Sequence, residues 1–357
     1  MIKDIILTST LALLGGFFGL NSFAQDHPAA GKAPGEITAI AEKFLATLGE
    51  ARRNKVVYDF KDDAQRRRWS NLPTSFVKRG GLRMGDLSQP QRDAAMAVLK
   101  AALSPQGYEK VVQIVEGDEV LKKDDRGGRG GPGGRGGGGP GGPALFGRDE
   151  YYISFLGQPS ATEPWMIQFG GHHLGLNITL VGEHGTLAPS HTGAQPAIYE
   201  LEGKTVRPLG REIDKAFALM SSLDEAQRKQ AILGFQMHDL VLGPGRDGQM
   251  IQPEGIKGAD LIDKQREMLL DLAGEWTGIQ NEAAAMAKMD EIKKNIAETW
   301  FAWSGPTDKG GAAYFRIQGP TVIIEYAPQR MGGDATKHIH TIYRDPANEY
   351  GTKWWKP

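Results

Sequence analysis

The chain has 357 residues, 42 Lys and Arg against 43 Asp and Glu, and no cysteine. The missing thiols exclude thiolate catalysis, iron–sulfur clusters and thiolate-ligated zinc, so any metal must be held by His, Asp, Glu, Asn or carbonyl oxygen. The formal net charge of −1 gives no electrostatic reason to expect nucleic acid or an anionic membrane as a partner.

The N-terminus has the pattern of a secretory signal peptide. An apolar run over residues 5–20 is short and interrupted by glycine, and Ser22 and Ala24 supply the small residues that a signal peptidase reads. We therefore expect cleavage after Ala24 and a periplasmic or extracellular protein without integral membrane contact; the alternative is an uncleaved N-terminal anchor. Residues 25–35 are polar and rich in Pro and Gly, which predicts a flexible lead-in to a single domain over residues 36–357.

Helices are predicted first along the chain. Apolar residues at helical spacing predict a helix over residues 37–48, and a second begins at the Ser88 N-cap and ends near Leu103, where a third follows. The second helix start, Leu-Ser-Gln-Pro-Gln-Arg at 87–92, has an echo in Leu-Asp-Glu-Ala-Gln-Arg at 223–228. This echo indicates either a remote internal repeat or the same capping pattern used twice.

The glycine-rich segment 126–143 predicts a disordered loop, because it cannot bury apolar surface. Its Arg-Gly steps are also found in RNA-binding segments, but the export signal and the small number of arginines argue against that interpretation. Beyond the segment, the period of the apolar residues changes to that of strands.

The predicted strands cover residues 151–156, 165–169, 173–181, 299–303, 312–318, 322–326 and 338–344. Gly170 and Gly171 are expected to link the second and third of these strands as a hairpin. The later predicted helices cover residues 212–234, 259–273 and 282–297. Because helix blocks are separated from strand blocks, the sequence predicts an α+β fold, with an antiparallel sheet from the middle and C-terminal strands packed with several helices.

Five of the eight histidines fall in two tight groups, namely His172, His173 and His191, and His338 and His340. Neutral imidazole is the commonest protein ligand for transition metals, and His-x-His on an extended segment puts both rings on one face of the strand. The grouping therefore predicts a divalent transition-metal site with these five histidines as candidate ligands, zinc being favoured and copper or iron being alternatives. If the strand face looks into the core instead, the histidines are hydrogen-bonded core residues.

Strand alternation separates the adjacent pair. His173 shares the polar side of its predicted strand with Asn177, whereas His172 has the parity of the leucines, so one ligand and one core or supporting residue are expected. A β-bulge at the preceding glycines would bring both into the site. The carboxylates that could complete the metal shell or act as general base are Glu183, Glu325 and Asp334. The polar groups that could bind substrate are Asn177 and Arg246.

Several segments taken together resemble the DUF3500 family of exported bacterial proteins. They are the run 165–182 around the paired histidines, the turn 192–196, the Trp-Phe-Ala-Trp-Ser-Gly segment 300–305 and the run 338–346. The resemblance covers residues 36–351. The Gly-x-Glu-Pro step typical of the family is Gly-Ala-Gln-Pro at 193–196 here, with an amide in place of a carboxylate. The family has no assigned function, so the resemblance implies boundaries and no activity.

The sequence thus favours an exported metalloprotein that acts on a small molecule, with metal-dependent hydrolysis as the first expectation because hydrolysis needs no reductant outside the cell. The alternative is a non-catalytic periplasmic protein that binds a metal or a small ligand. A coordination position that holds exchangeable water would favour the enzyme, and a shell filled by protein ligands would favour the binding protein. The oligomeric state is left open by the sequence.

Overall fold

The computed structural model describes residues 34–128, 138–139, 142–143, 145–330 and 333–356. Residues 31–357 form one unit. The predicted signal peptide and nearly all of the predicted lead-in lie outside the described residues, as do residues 129–137 and 140–141 of the predicted glycine-rich loop. The described parts of that loop are the end of a helix at Gly128 and two short strands at 138–139 and 142–143.

The helices are α1 (Pro34–Ala46), α2 (Glu50–Val56), α3 (Asp63–Arg66), α4 (Gln89–Ala102), α5 (Pro105–Gly128), α6 (Gly210–Ser222), α7 (Glu225–Ala231), α8 (Asp263–Thr277), α9 (Glu282–Lys294) and α10 (Thr352–Trp355). The helix predicted over 212–234 is two helices, because Asp224 starts a new one: its side chain accepts a hydrogen bond from the Gln227 N–H at 2.8 Å. Among the described residues, no helix combines the length and apolar character that crossing a membrane requires.

The strands are β1 (Val57–Tyr58), β2 (Leu82–Arg83), β3 (Gly138–Gly139), β4 (Gly142–Pro143), β5 (Tyr152–Leu156), β6 (Trp165–Gly171), β7 (Leu174–Val181), β8 (His184–Thr186), β9 (Ser190–Ala194), β10 (Tyr199–Leu201), β11 (Lys204–Val206), β12 (Ile256–Lys257), β13 (Trp300–Ser304), β14 (Tyr314–Gly319), β15 (Val322–Pro328) and β16 (Ile339–Arg344). Twelve of them form one sheet in the order β1-β5-β6-β7-β9-β16-β15-β14-β13-β12, with β2 beside β5 and β8 beside β7. β1 pairs with β5 in parallel, and the other pairings in this sheet are antiparallel. The predicted α+β class, with a sheet from the middle and C-terminal strands, is confirmed.

Helices cover one face of the sheet and bury its apolar side chains. The ring of Phe44 in α1 lies 6.0 Å from that of Phe155 in β5, and Trp276 in α8 packs 6.1 Å from Phe315 in β14. Because strand side chains alternate between faces, the strand residues next to Phe155 and Phe315 point to the opposite face of the sheet. That opposite face carries polar side chains, including those of the C-terminal histidines.

Two largely irregular segments, residues 59–81, which include the short helix α3, and residues 233–255, cover this polar face. The Gln65 amide in the first segment donates a hydrogen bond to Gln168 in β6 at 2.8 Å. In the second segment, the Val241 and Leu242 N–H groups donate to the Glu325 carboxylate in β15 at 2.9 and 2.7 Å. These cover segments keep the polar face out of water while supplying it with hydrogen-bond partners.

The two halves of the chain repeat one arrangement. In the first half, α1 and α2 precede β2, α4, α5 and strands β5, β6, β7 and β9; in the second, α6 and α7 precede β12, α8, α9 and strands β13 to β16. The registers agree as well, since Ile153 pairs with Phe169 as Phe301 pairs with Ile317, at the same sequence spacing. The chain therefore contains an internal structural repeat.

The sequence echo at 87–92 and 223–228 does not mark this repeat. The two segments begin α4 and α7, whereas the repeat matches α4 with α8 and α2 with α7. Both echoing helices have a capping box, made by Ser88 with Gln91 and by Asp224 with Gln227. The shared pattern is thus the capping pattern, and the repeat itself is visible in the order of the elements and in the strand register.

Glycines at equivalent positions of the two halves allow the cover segments to join the sheet, which generates a first prediction. Gly81 has φ +89°, and a Cβ there would lie 2.1 Å from the Ile153 carbonyl oxygen. We expect Gly81→Ala to lower the free energy of unfolding by at least about 1–2 kcal/mol, because the left-handed backbone and the contact both oppose a side chain.

Urea denaturation followed by circular dichroism measures the effect. The control is Gly274→Ala in α8, where nothing lies within 4 Å of the added carbon and the loss of a helical glycine should stabilise by up to about 1 kcal/mol. Equal stability of the Gly81→Ala variant and the parent would contradict the prediction.

Candidate metal centre

The paired histidines form the turn between β6 and β7. Gly171 pairs with Leu174, so His172 and His173 are the two turn residues. The prediction that Gly170 and Gly171 form the link is wrong, because the register continues through both glycines to the end of β6. His173 also lies before its strand, not on it, and has φ +61°. A non-glycine residue in this left-handed region is uncommon, and such residues concentrate at functional sites.

The turn sends the two adjacent rings to different partners. His172 Nδ1 lies 2.6 Å from Asp118 Oδ1 on helix α5, whereas His173 Nε2 lies 2.9 Å from His338 Nε2. The ring centroids of His172 and His173 remain only 3.7 Å apart. His172 therefore packs behind His173 and is directed towards the helix layer, while His173 joins the histidines of the C-terminal strand.

Gly193 makes room for this arrangement. It pairs with His340 across β9 and β16, and its N–H donates a 2.7 Å hydrogen bond to the His173 carbonyl oxygen. A Cβ on Gly193 would lie 2.7 Å from the Ile339 carbonyl oxygen, 3.1 Å from His191 Nε2 and 3.3 Å from His173 Cβ. The glycine thus lies beneath the histidine rings, where any side chain would displace them.

Three histidines converge from separate parts of the chain. His338 Nε2 lies 2.9 Å from His173 Nε2 and 3.1 Å from His340 Nε2. One ring nitrogen from each residue falls within a group whose members all lie within 4.8 Å of one another, and all three side chains are buried. An ion with bonds of about 2.0–2.1 Å to its ligands holds tetrahedral nitrogens about 3.3 Å apart. The group could therefore hold a metal ion.

A carboxylate holds His340 from the outer side. His340 Nδ1 lies 3.2 Å from Asp239 Oδ1 in the second cover segment, and the Asn71 amide of the first lies 3.4 Å from His340 Nε2. Burial raises the pKa of Asp239, but the hydrogen bond with His340 and those from Leu240 and Gln329 more than offset it, so that this pKa is lowered. An ionised carboxylate on one ring nitrogen directs the other towards a metal.

His191 lies beside the group without joining it. Its ring centroid is 5.4 Å from that of His340, and neither of its ring nitrogens has a hydrogen-bond partner although the residue is fully buried. Burial, followed by the neighbouring histidines, lowers the pKa of both His191 and His173 well below the usual value. Both imidazoles are therefore neutral at neutral pH, which is the form that binds metals.

The structure does not bring the predicted carboxylates to the histidines. Glu183 is exposed in the turn after β7, and the eight residues of that strand, at about 3.3 Å each, separate it from the histidine turn. Glu325 is buried, and its oxygens accept hydrogen bonds from Val241, Leu242 and the Tyr314 hydroxyl. Asp334 caps the short helical turn before His338 by accepting from Thr336.

The predicted substrate-binding residues are also placed elsewhere. Asn177 is buried on the polar face, where its amide accepts from Gln168 and donates to the Pro189 carbonyl oxygen, both at 2.9 Å. Arg246 is exposed in a turn of the second cover segment. The amide of Asn177 therefore holds the backbone between β8 and β9, and Arg246 faces solvent.

Sequence reasoning missed three residues that contact the histidines: Asn71, Asp118 and Asp239. Asn71 and Asp239 lie in irregular cover segments, where no periodicity indicates which way a side chain points. Asp118 lies on α5 and meets His172 only because that helix packs against the turn. The three contacts are set by the tertiary fold, so no local sequence signal identifies them.

Comparison with known proteins identifies a family and no characterised relative. Residues 30–352 match the family model DUF3500, described as a protein of unknown function. No curated protein matches the chain, and no solved structure matches it.

The hydrogen bonds of Glu325 generate a second prediction. Its carboxylate is fully buried and ties the segment that carries Asp239 to the sheet. Glu325→Gln places an amide N–H₂ opposite N–H and O–H donors, so we expect the free energy of unfolding to fall by about 1–3 kcal/mol. Denaturant unfolding measures the loss.

The control is Glu267→Gln, which makes the same chemical change at an exposed side chain and should shift stability by less than about 1 kcal/mol. If the two variants lose equal stability, Glu325 does not anchor the segment.

Proposed function

Because the chain belongs to the DUF3500 family, whose function is unknown, we propose a function from its histidine group: the protein binds a divalent transition-metal ion through His173, His338 and His340. The observation that carries the proposal is the approach of three buried Nε2 atoms to one another. No thiolate or clustered carboxylate surrounds them among the described residues, so the imidazoles would supply the first ligands.

The protonation of the rings supports a cation at their centre. A neutral imidazole has one N–H, so His338 Nε2 can donate to only one of the two nitrogens that face it. With the Nδ1–H of His340 directed at Asp239, the Nε2 of His340 presents a lone pair. A metal ion accepts the lone pairs of all three Nε2 atoms at once. Without a metal, hydrogen bonds between the rings can place a proton in only one of the two contacts that His338 Nε2 makes, and in the other contact two nitrogens face each other with no proton between them.

The donor set favours zinc, with copper and iron as alternatives. Imidazole nitrogen suits zinc, copper, iron and nickel, whereas magnesium and calcium require oxygen ligands. The proposal thus keeps the metal class that the sequence predicts.

Binding is the primary role that we propose, and metal-dependent hydrolysis is the second candidate. Three histidines with one open position are the ligand set of catalytic zinc sites, in which the metal activates a water molecule. Against catalysis stand the burial of the three rings and the engagement of Glu325 in internal hydrogen bonds. We also propose that the protein is exported and that the partner it binds is a small molecule or a metal ion.

Removal of two histidines tests metal binding. We expect untagged parent protein to contain close to one equivalent of zinc, copper or iron by mass spectrometry, and His338→Ala/His340→Ala to contain almost none, because two of three ligands are lost. The matched control is His184→Ala/His238→Ala, which removes two exposed histidines and should leave the metal content unchanged.

Circular dichroism of all three proteins establishes that they are folded. A metal-free parent that stays metal-free after incubation with zinc, copper, iron and manganese would overturn the proposal.

Asp239 provides a separate test. We expect Asp239→Asn to weaken zinc binding by about 10–100-fold, because the carboxylate that orients His340 and increases its basicity is lost. Competition with a fluorescent zinc chelator measures the affinity. Asp308→Asn, at an exposed position, should bind zinc as the parent does; equal affinity of all three proteins would show that Asp239 does not support the site.

A further inference from the structure

We infer that His191 is a fourth metal ligand, so that protein nitrogen fills the coordination shell. This inference rests on the proposed metal site and makes it more specific. A four-histidine shell leaves no position for the water molecule that hydrolysis requires. It therefore assigns the site to holding a borderline divalent ion such as zinc, rather than to hydrolysis.

The first observation is the state of the His191 ring. The residue has no exposed surface, and both Nδ1 and Nε2 lack a hydrogen-bond partner. Burying a polar group without a partner is unfavourable, so native structures seldom leave one. His172, which is also buried, shows the usual solution, since Asp118 accepts from its Nδ1. A metal ion that accepts a lone pair would satisfy one of the two unpartnered nitrogens of His191.

The second observation is the position of His191 in the sheet. It lies in β9 two residues before Gly193, so both residues point to the same face of the sheet, and Gly193 is the partner of His340. The space that the missing Gly193 side chain leaves is bordered by His191 Nε2 and by His173 Cβ. His173, His191 and His340 therefore all lie next to Gly193, and the nitrogens of His173 and His340 already converge with that of His338.

Ligation requires the His191 ring to turn, because its nitrogens lie outside the group formed by the other three. This rotation of the His191 ring breaks no hydrogen bond, since neither ring nitrogen has one. The internal repeat offers a contrast: the register that pairs Gly175 with His191 pairs Ile323 with Arg344 in the second half. Arg344 donates to the Leu242 and Gly243 carbonyl oxygens at 2.7 and 3.0 Å. The equivalent position thus accommodates a fully hydrogen-bonded side chain, and the unpartnered ring is specific to the histidine site.

Cobalt(II) tests the inference, because its visible spectrum reports the number and exchange of its ligands. Metal-free parent and His191→Ala proteins are loaded with cobalt and titrated with azide, and zinc affinity is measured by chelator competition. We expect azide to leave the parent spectrum unchanged but to change that of the variant, in which a position has opened. Zinc affinity of the variant should fall by more than the roughly 100-fold that loss of a supporting carboxylate causes. Added imidazole should restore the parent spectrum.

His184→Ala is the control, since this exposed histidine lies outside the histidine group, and it should stay insensitive to azide. If His191→Ala does not fold, as judged by circular dichroism, His191→Gln replaces it. A parent whose cobalt spectrum responds to azide, or a variant with parental zinc affinity, would overturn the fourth ligand and leave the three-histidine site intact. A parent that binds neither cobalt nor zinc would overturn both proposals.

Discussion

The antiparallel pairing of β9 with β16 at the centre of the sheet is the contact on which the site depends. It joins the two structural repeats, since each strand is the last of its half. The register sets Gly193 opposite His340 and His191 opposite Ile342, so side chains far apart in sequence share one face. A shift of one residue would turn either set of histidines towards the helix layer. The hydrogen bond from Gly193 to His173 then fixes the turn above this pair.

Burial determines the chemistry of the histidines. Desolvation, followed by the neighbouring imidazoles, lowers the pKa of His173 and His191, which keeps these rings neutral and able to donate lone pairs. Close approach of several rings would be unfavourable if they were charged, so neutrality and convergence depend on each other. Asp239 and Asp118 lie at the edges, each on one ring, and supply the negative charge that a bound dication would require nearby.

The repeat explains why the site occurs once although the scaffold occurs twice. Both halves cover their polar face with an irregular segment that joins the sheet at a left-handed glycine, Gly81 or Gly255. In the second half, Glu325 and Arg344 on that face bind backbone groups of the cover segment. In the first half the corresponding region retains an unpartnered histidine. At equivalent positions of the two copies, Arg344 thus ties the cover segment to the sheet, whereas His191 keeps both ring nitrogens available for a ligand.

The residues alone determined the periodic features of this protein: the α+β class, the positions of the long helices and strands, and the restriction of metal ligands to imidazole and oxygen donors. These follow from apolar periodicity and composition, which are local properties. Tertiary structure decided which histidines meet, because strand register, the two-residue turn at His173 and the absence of a side chain at Gly193 act across long sequence separations. It also removed Glu183 and Glu325 from the site and brought in Asp239, since irregular segments and buried hydrogen bonds have no sequence period that reveals where a side chain points.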